Sequence, residues 1–133
     1  MSQFGVQIHE KSHRKSSGNG KLKLKNRDKR RHEVGSYFTA TKLGAENTVN
    51  SIRARGGNTI SKLKNAAFAN VLTGSGYKKA KITSVVESRD NRNFARLNII
   101  TKGTIIETEL GKAQVINRPG REGTVTARLV EGR

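Results

Sequence analysis

Arg53 and Arg55 stand two positions apart and run directly into Gly56-Gly57-Asn58. On a strand, that spacing sets both guanidinium groups on one face. Guanidinium matches phosphate bidentately and also stacks on bases, and adjacent glycines let a backbone approach a polymer closely. The competing reading is an exposed strand end with incidental arginines. Arg89, Arg92, Arg118 and Arg121 fall in predicted loops, where binding residues concentrate. The densest cationic run is residues 11–31, which contains Lys11, Arg14, Lys15, Lys21, Lys23, Lys25, Arg27, Lys29, Arg30 and Arg31. Asp28 is its only acid, so the segment carries +9. Together these groups read as a multi-point phosphate clamp.

Other chemistry finds little support. No Gly-x-x-x-x-Gly-Lys-Ser/Thr run is present, and Gly74-x-Gly76 lacks the third glycine of a dinucleotide fingerprint. A serine nucleophile elbow is absent. His9, His13 and His32 lie in or beside the basic run, without the rigid frame a metal site needs, so no metal or cofactor is expected. Glu107 and Glu109 are spaced to share a strand face and could form an acid/base pair. The stronger reading is structural: Ile106 and Thr108 face a core while the glutamates pair with nearby Lys or Arg.

The whole chain has 133 residues, with 27 Lys+Arg against 10 Asp+Glu, for a net charge of +17. Such an excess destabilises a compact chain by self-repulsion, and a polyanionic partner relieves it. No stretch approaches the roughly 20 apolar residues of a membrane span. No apolar export segment opens the chain, so the cytoplasm is the expected location. Cysteine is absent, which excludes disulfides and cysteine-based zinc sites.

The elements that must position these cations follow from the apolar pattern. Residues 11–31 hold only Leu22 and Leu24 as large aliphatics, too few to offset chain entropy. Residues 1–33 are therefore expected to be a basic extension, disordered when free, with Ser16-Ser17-Gly18-Asn19-Gly20 keeping it flexible. The competing reading is a merely solubilising tail.

Residues 34–133 are expected to form a β-rich core. Gly35–Thr41 is β-prone, and Val49–Arg55 reads as a strand ended by the Gly-Gly-Asn breaker. Residues 61–79 fit either helix or strand, with Lys62–Val71 helix-prone by propensity. Ala80–Glu87, Phe94–Thr101, Thr104–Leu110, Ala113–Asn117 and Gly123–Val130 read as strands of a meander. Asn117-Arg118-Pro119-Gly120 fits a type II turn with the glycine at positive φ. The expected core includes Ile82, Val85, Phe94, Leu97, Ile99, Ile105, Leu110, Val115, Val125 and Leu129. The fold class is all-β: a small antiparallel barrel or sandwich with a long, basic, extended N-terminal tail.

Aromatics are few, and Phe38, Phe68 and Phe94 are assigned to the core. Single-strand readers stack bases on aromatic platforms. The composition therefore favours recognition of folded RNA by backbone and shape.

At this point a set of short runs bears on family. They are Arg14-Lys15-x-Ser17-Gly18, Lys29-Arg30-Arg31-x-Glu33-x-Gly35, Arg53-x-Arg55-Gly56-Gly57-Asn58, Ala69-Asn70-Val71 and Val85-Val86-Glu87. Asn98-Ile99-Ile100-Thr101-Lys102-Gly103, Ile105–Gly111 and Arg118-Pro119-Gly120-x-x-Gly123 complete the series. In this order they resemble the archaeal and eukaryotic small-subunit ribosomal protein family designated S-eight-e, at the compact, archaeal-like length. The resemblance implies an all-β core whose basic extension threads into small-subunit ribosomal RNA beside neighbouring small-subunit proteins. It implies no enzymatic activity, no cofactor, no small-molecule substrate and no membrane. The chain departs from the family pattern at Ser36-Tyr37-Phe38, where Arg and Pro are usual, and at Ile60, where a basic residue is usual. RNA contacts are not carried over at those positions. The alternative function is a DNA-binding architectural or chromatin protein, against which the lack of an evident recognition helix or apolar wedge argues.

Overall fold

The computed structural model describes residues 14–15, 17–24, 27, 30, 32 and 35–130. Lys11, Lys25, Lys29, Arg31, His9 and His13, named above, lie outside the described residues. The chain divides into two units, Met1–Phe38 and Thr39–Arg133.

Among its described residues the second unit has nine strands: β1 (Thr41–Leu43), β2 (Thr48–Arg53), β3 (Thr59–Ala66), β4 (Phe68–Thr73), β5 (Gly76–Glu87), β6 (Ile99–Ile100), β7 (Ile105–Thr108), β8 (Gly111–Val115) and β9 (Thr126–Leu129). Two short helices interrupt them, α1 (Arg92–Arg96) and α2 (Pro119–Glu122). β2, β3, β1 and β6 form a four-stranded sheet in that order, and β4, β5, β7, β8 and β9 close a barrel. Most pairs are antiparallel; β1 and β3 pair in parallel, and so do β4 and β9, which close the barrel with Val71 of β4 opposite Ala127 of β9.

The ambiguous stretch 61–79 is strand except for the corner at Ala67 and the turn at Gly74-Ser75. Ala67, Ala69 and Val71 are buried while Phe68, Asn70 and Leu72 are exposed, a period of two that no helix presents. One residue, Ala67, separates β3 from β4 and turns the chain from one sheet to the other. Its amide and that of Phe68 both donate to Asn47 Oδ1, at 2.7 and 3.3 Å. This acceptor satisfies two amides that the corner removes from the strand ladders.

The core contains Leu63, Val71, Ile100, Ile106, Val115 and Val125, all essentially without solvent contact. Ile82, Val85 and Ile99 are buried as expected, and Ile105 and Leu129 are half-buried. Leu110 is not core. It occupies the two-residue turn between β7 and β8, closed by Thr108 Oγ1 donating to the Gly111 carbonyl at 2.7 Å, and is 43% exposed.

Of the expected strand Phe94–Thr101, Phe94–Arg96 belong to helix α1, Leu97 and Asn98 turn, and only Ile99–Ile100 are strand, as β6. The Asn91 side chain accepts from the Asn93 amide at 2.9 Å and caps the helix start. Asn98 then turns into the left-handed region at φ 52°. Phe94 on α1 and Leu97 at its C-cap are consequently half-buried. Nor is the Arg118-Pro119-Gly120 segment a type II turn. Pro119 stands at the first turn of α2, where its fixed φ and missing N–H suit a helix start. The positive φ belongs to Gly123, at 75°, and not to Gly120.

Candidate nucleic-acid interface

β2 and β3 pair as a hairpin running from Thr48↔Asn65 to Arg53↔Thr59. Every residue of β2 is exposed, including Val49 and Ile52. At the tip, the Ala54 amide donates to the Asn58 carbonyl at 2.6 Å, and Arg55–Gly57 makes a single 3₁₀ turn. Gly56 and Gly57 sit at φ 78° and 79°, where a Cβ is strained. A Cβ on Gly57 would meet nothing within 4 Å, so conformation and not crowding calls for glycine there. The result is a bare backbone knuckle with Arg53, Arg55 and Asn58 exposed around it.

α2 lies against β3 of this hairpin. A Cβ built on Gly123 would fall 2.9 Å from Ser61 Cβ, and one on Gly120 would fall 3.1 Å from Thr39 Cβ. The two glycines and buried Pro119 therefore let α2 seat tightly, which turns Arg118 and Arg121 to solvent. The Glu122 carboxylate ties the start of this turn, accepting from the Asn117 side-chain amide at 3.0 Å and from the Arg118 amide at 3.4 Å. Ser61 is two residues from Thr59, the partner of Arg53, or about 7 Å along a strand. The fold thus sets the arginines of α2 beside the shaft of the hairpin whose tip carries Arg53 and Arg55. Arg89, in the bend before α1, and Arg92, the first residue of α1, are exposed.

In the first unit, Arg14 bridges Leu22 in antiparallel fashion, and the Lys15 amide donates to the Lys21 carbonyl at 3.0 Å. Gly18 and Gly20 take positive φ in the turn, and Asn19 Oδ1 accepts from the Lys21 amide at 3.1 Å. The Ser-Gly-Asn-Gly run read as a flexible spacer is here a hairpin turn. Arg14, Lys15, Lys21, Lys23, Arg27 and Arg30 are all exposed.

Glu107 and Glu109 do not converge. Glu107, exposed on β7, accepts from Ser84 Oγ at 2.9 Å and stands opposite Lys112 in register, whereas Glu109 is in the following turn. Buried Ile106 and Thr108 alternate with them. Among the described residues no cluster of His, Asp or Glu could hold a metal ion, and no helix is long and apolar enough to cross a membrane.

Sequence reading missed the outer wall of the barrel. Phe68, assigned to the core, is exposed, and Lys79 Nζ lies 4.5 Å from its ring centroid. The alternation Phe68-x-Asn70-x-Leu72 and Tyr77-x-Lys79-x-Lys81 carried the signal, since small or branched residues at the intervening positions Ala69, Val71, Ala80 and Ile82 fill the barrel.

Comparison with known proteins places the geometry in context. The profile of a family described as ribosomal protein S8e matches residues 9–130. The chain is 49% identical over 114 residues to the small ribosomal subunit protein eS8 of Sulfurisphaera tokodaii, covering 84% of this chain and 89% of the relative. It is 48% identical to the protein of the same name from Sulfolobus acidocaldarius, covering 84% and 88%. A third, from Methanocorpusculum labreanum, is 44% identical over 124 residues and covers 91% and 96%.

Proposed function

This chain belongs to the ribosomal protein S8e family, and from that premise we propose that it is a structural, non-catalytic constituent of the small ribosomal subunit in the cytoplasm that clamps folded ribosomal RNA. One observation carries the mode of binding: the β2–β3 hairpin ends in a glycine knuckle flanked by Arg53 and Arg55, with Arg118 and Arg121 seated beside its shaft. The exposed arginines of the hairpin tip and of α2 border a backbone knuckle that a phosphate chain can approach without side-chain obstruction. Lys11, Arg14, Lys15, Lys21, Lys23, Lys25, Arg27, Lys29, Arg30 and Arg31 add a second, more concentrated source of positive charge. Phosphates crowd where RNA helices pack, and a narrow cationic arm lowers that repulsion by replacing condensed counterions. Neighbouring small-subunit proteins complete the set of partners.

The DNA-binding alternative gains nothing from the fold. The helices among the described residues are five and four residues long. A recognition helix must lay several turns into a major groove.

Two measurements test the proposal. In a sucrose gradient of a cell lysate, the chain should travel with small subunits, and sedimentation only at the top of the gradient would refute a ribosomal role. Deleting residues 1–33 should leave the cooperative unfolding of the β unit in place while weakening RNA binding strongly at moderate salt. Unchanged affinity in the truncated protein would remove the arm from the mechanism.

A further inference from the structure

The barrel wall formed by β5, β4 and β9 presents a second face of different chemistry. Register places Phe68 beside Lys81, and Leu72 between Tyr77 and Arg128. Paired residues share a face, so these five side chains, with Lys79, project together from one side. Tyr77 is 64% exposed, Leu72 39% and Phe68 36%. Strand alternation does not require this, because a solvent face is normally polar. The cations are held in place: Lys79 by the Phe68 ring at 4.5 Å, and Arg128 by Gln114 Oε1, which accepts from its Nη2 at 3.2 Å. None of the outward residues in these three rows is acidic.

We propose that this wall holds an unpaired stretch of RNA, with one base stacked on Tyr77 and adjoining phosphates on Lys79, Lys81 and Arg128. This deepens the RNA-binding reading above and rests on it. The clamp at the β2–β3 tip offers charge and bare backbone, which suit the outside of a helix. The barrel wall offers aromatic and aliphatic surface among fixed cations, which suits a base with a free face. Bases inside a duplex keep their faces covered by stacking, so the occupant is a loop, bulge or strand end. Tyr77 and Arg128 lie two strand spacings apart, about 10 Å, and Lys79 is one pleat from Tyr77, about 7 Å. Both cations are therefore within reach of nucleotides flanking a base on Tyr77. An acid-poor face with three cations selects a polyanion over an ordinary protein surface. The ring under Lys79 is occupied, which leaves Tyr77 as the platform and Phe68 as the anchor that aims the ammonium group.

The chain has two tyrosines and no tryptophan, so in the full-length Tyr37→Phe protein Tyr77 is the sole strong emitter. Oligoadenylate should quench its emission, whereas an RNA duplex of equal phosphate number should bind without quenching it. In the parent chain, Tyr77→Ala should weaken oligoadenylate binding by about five-fold to a hundred-fold, as base–aromatic stacking does elsewhere. Duplex affinity should be unchanged, and so should the salt slope, because stacking releases no counterions. Tyr77→Phe should restore the affinity. Equal losses for duplex and single strand, or no loss for either, would overturn the proposal while leaving the clamp intact. Failure of the parent protein to bind either RNA would overturn both. A photo-crosslinker at Leu72 in assembled subunits should capture RNA, and capture of a protein would also refute the assignment.

Discussion

Replacing Gly123 with alanine should destabilise the β unit by about 2–4 kcal/mol, through two penalties that the fold also presents separately. At φ 75° an alanine costs about 1–2 kcal/mol relative to glycine. Its methyl would also fall 2.9 Å from Ser61 Cβ, the stem of a side chain on β3, so backbone must shift by an amount that costs about 1–3 kcal/mol in a packed site. Reduced freedom of the unfolded chain returns about 0.4–1 kcal/mol. Gly103→Ala isolates the first penalty, because Gly103 has φ 85° and open space around it. Gly44→Ala isolates the second, with a Cβ 2.9 Å from Asn65 Cβ and no positive φ. Each should cost about 1 kcal/mol net by the same terms. Urea unfolding of the three variants gives the comparison directly. Gly123→Ala no more damaging than Gly103→Ala would show that α2 does not depend on close seating against β3.

The remaining predictions concern the tip, the corner and the core. Arg53→Ala and Arg55→Ala should each lower the slope of log affinity against log salt by up to about 1, with the midpoint of unfolding unchanged; filter binding across a salt series measures it. Asn47→Ala leaves the Ala67 and Phe68 amides without their acceptor and should cost about 1–3 kcal/mol in urea unfolding. Ile106→Ala empties the centre of the barrel and should cost about 2–5 kcal/mol, with RNA binding retained wherever the protein remains folded.

Much of the barrel was legible because strand burial has period two. Val125 and Ala127 are buried as that alternation requires, and turn glycines mark several strand ends. Closure was not legible. Val71 pairs with Ala127 across most of the unit, and no local periodicity encodes which strands meet. α1 was hidden because Leu97, Ile99 and Ile100 beside it are strand-like in type and spacing, whereas its start is marked by a side-chain cap at Asn91. At the candidate interface, residue type alone revealed the Arg-Gly-Gly-Asn knuckle. That α2 would lie beside it was unreadable, because the Gly123–Ser61 contact joins distant segments. Phe68 was assigned by hydrophobicity, whereas its parity in β4 sets it outside.

The parallel union of β4 with β9 bears on the order of events during synthesis. β4 ends at Thr73 and its partner begins at Thr126. At ordinary translation rates, the intervening stretch of roughly fifty residues takes about 3–10 s to make. The β2–β3 hairpin, by contrast, needs only neighbours close in the chain. A nascent molecule would therefore display its arginine knuckle for seconds before the barrel can shut, and transcript grasped in that interval would be held by a half-built protein.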